Sequence, residues 1–103
     1  MNRIEKLQAY LEKSPDDNFL KHALALEFRK MNDDAMARKL FEDILTKDPS
    51  YVGSYYQLGK LLEELGEKEN AVAWYEKGMT AARTAKDNHA YNELRSAYEE
   101  LID

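Results

Sequence analysis

The sequence predicts an all-α fold of six helices arranged as antiparallel pairs. Three observations predict it. Apolar residues recur at helical spacing along almost the whole chain. No segment alternates apolar and polar residues for long enough to make a strand. The only two prolines, Pro15 and Pro49, stand 34 residues apart, and a shift by that interval superimposes Leu7 on Phe41, Phe41 on Tyr75, Leu11 on Leu45, Leu24 on Leu58 and Ala37 on Ala71. Size and polarity are kept from site to site, which marks an internal repeat.

Each helix has its own stripe. Ile4, Leu7, Tyr10 and Leu11 make one over residues 2–13. Phe19, Leu20, Ala23, Leu24 and Phe28 make the second over 17–31. Ala37, Leu40, Phe41, Ile44 and Leu45 follow over 34–47. Tyr55, Leu58, Leu62 and Leu65 mark the fourth over 51–65, and Ala71, Trp74, Tyr75 and Met79 the fifth over 68–85. Ala90, Tyr91, Leu94, Ala97, Tyr98, Leu101 and Ile102 give the most regular stripe over 88–102. Pro15 and Pro49 push Ser14 and Asp48 out of helix. Asp16, Asp17 and Ser50 are expected to cap the helices that follow them. Asn32-Asp33-Asp34 closes one helix and puts carboxylates at the positive start of the next. Gly66 suits a left-handed helix end, and Lys86-Asp87-Asn88 is the last turn. Every connection is short, so sequence neighbours should run antiparallel.

Composition narrows the function classes. The chain has 103 residues, enough for one domain, with 15 Lys plus Arg against 20 Asp plus Glu and a net charge of −5. That balance argues against nucleic acid or an anionic membrane as partner, since both need clustered positive charge. With no cysteine, disulfides, thiolate nucleophiles and cysteine-based zinc sites are ruled out. Charges interrupt the first residues, so no apolar signal core is present, and a cytoplasmic location is expected. Gly53, Gly59, Gly66 and Gly78 are too dispersed for a phosphate loop. His89 and Glu93 stand one turn apart but supply too few ligands for a metal. The acid pairs read as caps and solvated faces. No enzyme chemistry, cofactor or metal is expected.

The repeat resembles the tetratricopeptide repeat family. That family's 34-residue unit reads Trp-x2-Leu-Gly-x2-Tyr, then Ala-x3-Phe, then Pro. Here one unit reads Lys21-x2-Leu24-Ala25-x2-Phe28, Ala37-x3-Phe41, Pro49, and the next Tyr55-x2-Leu58-Gly59-x2-Leu62, Ala71-x3-Tyr75. The likeness divides a single domain, residues 1–103, into a half unit (2–17), two units (18–51 and 52–85) and a capping helix (88–102), stacked as a short right-handed α-solenoid. The departures are Lys21 at the Trp place, Gly78 where Ala is usual, and Arg83 in place of Pro. The Ala81–Ala85 run favours extending the fifth helix, and the last helix then matches best at a shift of 36.

The resemblance implies a non-enzymatic protein-interaction module, in which the first helices of successive units line a concave groove that holds a peptide segment or helix of a partner. The groove would be lined by Phe19, His22, Ala23, Leu26, Arg29 and Lys30 from one unit and by Gly53, Tyr56, Gln57, Lys60 and Glu64 from the next. His89, Asn92 and Glu93 would complete it from the capping helix. Phe19 either faces the groove or folds against the N-terminal helix, and Tyr56 either anchors a partner or covers the stack. Some family members grip chaperone C-termini through Lys, Asn and Arg; His22, Leu26, Gln57, His89 and Glu93 hold those places here, so no such clamp is expected. The alternative is a self-associating module, monomer or weak homodimer, joined through Ile4, Leu7 and Tyr10 exposed on the N-terminal helix.

Overall fold

The computed structural model describes residues 2–103. Its helices are α1 (Arg3–Lys13), α2 (Asn18–Lys30), α3 (Asp34–Lys47), α4 (Gly53–Glu64), α5 (Lys68–Thr84) and α6 (Asn88–Ile102). Sequence neighbours pack on one another in turn, and α4 also meets α6. The molecule is an elongated, solenoid-like stack of 44 × 29 × 20 Å.

Two kinds of connection join the helices, each set by its own residues. The turns after α2, α4 and α5 place Asn32 (φ 60°), Gly66 (φ 78°) and Lys86 (φ 58°) in the left-handed region. Paired hydrogen bonds then close each helix end: Asp33 N–H to the Phe28 carbonyl, Glu67 N–H to Leu62 and Asp87 N–H to Ala82, all at 2.9 Å. This is the double-bonded motif that satisfies the last carbonyls of a helix. The turns after α1 and α3 carry the prolines instead. Thus α5 and α6 are joined by the same turn as the partners within a pair, which explains why the last helix departs from the 34-residue register.

Asp17, Asp33 and Asp87 cap α2, α3 and α6 through their side chains. Two expected caps are corrected. Asp16 caps nothing, because Asp17 already holds that role. The Ser50 hydroxyl and amide both bond to the Asp48 carboxylate, so α4 begins later, after Val52, with no side-chain cap.

The core follows the repeat. Ala25, Ala37, Phe41, Leu58, Leu62, Ala71 and Tyr75 are fully buried. Gly59 is small because the Tyr75 ring lies on it: an added Cβ would fall 2.2 Å from Tyr75 Cε1. Gly78 faces Tyr55 in the same way, with 2.6 Å to the Tyr55 Cβ. Close packing, not turn formation, demands glycine at both sites. Lys21, at the family's Trp place, is only 6% exposed and donates to Asp43 at 3.2 Å. That hydrogen bond, with the lysine charge, holds the Asp43 carboxyl below its ordinary value. The expectation of an exposed apolar N-terminal face is corrected as well. Leu7 is buried and Ile4 half-buried because α1 lays its stripe on α2; only Tyr10 remains exposed.

Candidate functional site: the face shared by α2 and α4

A pocket of about 760 Å3 opens on the face that α2 presents beside α4. Helical spacing brings Phe19, His22, Ala23, Leu26, Arg29 and Lys30 to one side of α2, and Gln57 joins them from α4. Phe19 is 71% exposed. It therefore does not fold inward, and it forms an apolar shelf at the start of α2. Arg29 forms the other end of the row, ten residues along the same helix, about 15 Å away at 1.5 Å per residue.

The polar groups of this face tie the two helices together. The His22 ring lies 2.8 Å, Nδ1 to Oγ, from the fully buried Ser54 of α4. It stands edge-on to Phe41 at 5.4 Å and tilted to Tyr51 at 6.0 Å. Burial pushes its pKa below the ordinary imidazole value of 6.5, so the neutral ring is favoured. Arg29 donates to Gln57 Oε1 at 3.2 Å and also to the Glu64 carboxylate. Arg3 of α1 and Lys30 both approach Glu27, at 3.5 Å and 3.0 Å. The face is thus mixed in charge, with its cations already answered by carboxylates and an amide.

The other predicted site residues lie outside this pocket's lining. Tyr56 is half-buried and packs against the core, 6.5 Å from the Tyr75 ring, with the Lys60 ammonium 5.6 Å from its own ring. It covers the stack. Glu64 reaches the site only through Arg29. His89, Asn92 and Glu93 are exposed on α6, and the structure does not bring them to the pocket. Two pocket residues escaped sequence reasoning. Glu27 sits one turn before Lys30 on the same helix, a spacing that signals an ion pair. Arg3 arrives from α1 by tertiary packing, and no local signal announces it. Among the described residues no group of three or more His, Cys, Asp or Glu side chains is placed to hold a metal ion. No helix among them is long and apolar enough to cross a membrane.

This arrangement of short antiparallel helix pairs, with small residues at the crossings and a lined face across successive first helices, defines a helical-repeat protein. A profile of the tetratricopeptide repeat matches residues 52–84. The solution structure of a tetratricopeptide repeat domain protein from Salinibacter ruber superimposes with a TM-score of 0.81 and 38% identity, covering 84% of this chain and 88% of that one. The chain belongs to the tetratricopeptide repeat family. The TPR2B domain of yeast Sti1, solved in a complex with pHsp70, has the same fold at a TM-score of 0.88 with 15% identity, covering 96% of this chain and 79% of that one. Mouse interferon-induced protein with tetratricopeptide repeats 3 is 22% identical over 100 residues, which is 97% of this chain but only 24% of that curated relative's length.

Proposed function

We propose that the chain is a non-enzymatic interaction module that holds a segment of a partner protein against the α2/α4 face. The observation that carries this reading is Phe19. An aromatic side chain 71% exposed at the rim of a lined pocket leaves apolar surface for a partner to cover, and aromatic anchors of this kind dominate binding energy at protein interfaces. The likeness to a domain solved in complex with pHsp70 supports a protein or peptide as the partner. The module divides into a half unit, two units and a cap, as the repeat register suggests. Phe19 and Leu26 take an apolar side chain of the partner, and the mixed charges near Arg29, Lys30 and Glu27 select its polar neighbours.

A displayed peptide library tests this. Phe19→Asp and Arg29→Glu should each weaken the selected peptides by about tenfold or more, the loss of a typical hot spot; melting should stay near wild type for Phe19→Asp, and should fall for Arg29→Glu, which gives up the bonds to Gln57 and Glu64. Selected peptides that bind both variants as tightly as wild type would place the interface elsewhere. Self-association through α1 is the weaker reading, because of its three residues Leu7 is buried, Ile4 is half-buried and only Tyr10 is exposed.

A further inference from the structure

The molecule has a second pocket, of about 650 Å3, that shares no lining residue with the first. It opens between the C-terminal ends of α3 and α5. Its size is that of small-molecule sites, which run from about 300 to 1,000 Å3. The carbon walls come from Leu45 and Pro49 on one side and Trp74, Ala81 and Ala85 on the other. A departure from the repeat pattern lengthens the far wall. With Arg83 in place of proline, α5 runs to 17 residues against 14 for α3, and Thr84 and Ala85 lie past the position equivalent to Lys47.

The polar lining is one-sided. Lys77 is the only charged residue in it, and no carboxylate lines the pocket. Among the described residues no carboxylate lies within ion-pair distance of the Lys77 ammonium, which instead rests 4.5 Å from the Trp74 ring centroid. Near the end of α5, the carbonyls of Ala81, Ala82 and Arg83 accept from Ala85, Asp87 and Lys86. Of the hydroxyls, Ser50 donates to Asp48 and Thr80 to the Glu76 carbonyl. The Lys77 ammonium is left as the charge for which a ligand can compete, at the mouth of an apolar cleft. In a chain with five more acids than bases, an unanswered lysine beside carbon walls complements an anion with an apolar body.

We propose that this pocket binds a small aliphatic carboxylate, its chain lying on Leu45, Pro49, Trp74 and Ala81 and its carboxylate meeting Lys77.

Trp74 is the only tryptophan in the chain, so its emission reports occupancy without a label. Hexanoate, octanoate and decanoate would be titrated against the intact chain. The expected result is a saturable emission shift whose dissociation constant falls about fourfold per added methylene, the equivalent of ~0.8 kcal/mol each. Decylammonium should bind at least about tenfold more weakly, and Lys77→Glu should invert that preference, since a single charge at contact sets it. Thr84→Phe and Ala85→Phe, both at exposed positions, should fill the pocket and remove the shift with helix content unchanged. The proposal is overturned by a shift that never saturates, by decylammonium binding as tightly as decanoate, or by a shift that survives both filling variants. It is equally overturned if an acidic amphipathic peptide moves the Trp74 emission while none of the three carboxylates does, because the cleft would then serve a protein partner.

Discussion

A methyl group added at Gly78 would stand 2.6 Å from the Tyr55 Cβ and 3.1 Å from Leu94 Cδ1. A Cβ is fixed to its backbone and cannot swing aside, so the helices themselves would have to part. Alanine adds about 1 kcal/mol of helix propensity over glycine, but overpacking costs ~1–3 kcal/mol. Gly78→Ala and Gly59→Ala should therefore both lower stability in urea unfolding, by up to about 2 kcal/mol net; a Gly78→Ala protein more stable than wild type would show that the crossing is loose. His22 carries a different signature. Its pKa is depressed by burial below 6.5, so its contribution is complete above 6.5, where both folded and unfolded rings are neutral. As pH falls below 6.5 the unfolded ring takes a proton that the folded one resists, and stability declines. Melting temperature should hold from pH 8 to 7, then drop between pH 6.5 and about 5.5, before carboxylates titrate. His22→Asn should flatten that slope, and an unchanged slope would assign it to another group. Sequence reasoning saw Gly78 as a departure from the repeat; the contact with Tyr55 supplies its reason. It could not see that Lys21 is buried, because only tertiary structure brings Asp43 beside it.

At the scale of the element, all six helices were legible within two residues, because proline, aspartate and helical spacing act locally. The largest miss was the start of α4, which comes two residues late. Ser50 has the chemistry of a cap, but Asp48 stands two residues away and takes both its hydroxyl and its amide, a local competition that side-chain preference alone does not rank. The helix ends after α2, α4 and α5 share one geometry with three different residues at the left-handed position, Asn32, Gly66 and Lys86. Their intrinsic tolerance of that conformation differs. Lysine pays the full steric penalty of about 1–2 kcal/mol, whereas asparagine is partly excused. Glycine also loses more entropy on folding. Lys86→Gly should thus stabilise the chain by about 0.5–1 kcal/mol, and Asn32→Gly should change it by only a few tenths. Differential denaturation of the two variants checks this, and equal effects would mean that the backbone angle does not limit these turns.

Across the whole molecule, burial is unevenly distributed. α4 packs against α3, α5 and α6, and Ser54, Leu58, Leu61 and Leu62 along it are fully buried. α1 packs mainly on α2 and buries only Leu7. This gradient also governs what could be read of the site. Residues on one helix, from Phe19 to Lys30, follow from periodicity alone, whereas the exclusion of His89, Asn92 and Glu93 depends on how far the stack carries α6 from α2. In a stacked array each helix is held by its neighbours, so local opening should be easiest where neighbours are fewest. Amide hydrogen exchange under native conditions should therefore be slowest in α4, intermediate in α2, α3 and α5, and fastest in α1, and Leu7→Ala should speed exchange in α1 and α2 more than in α5. The His22–Ser54 bond couples α2 to the best protected helix, so a partner seated on that face would rest on the rigid middle of the molecule and not on its fraying end. Uniform protection from α1 to α6 would contradict this, by showing that the chain opens as a single unit with no end from which to unravel.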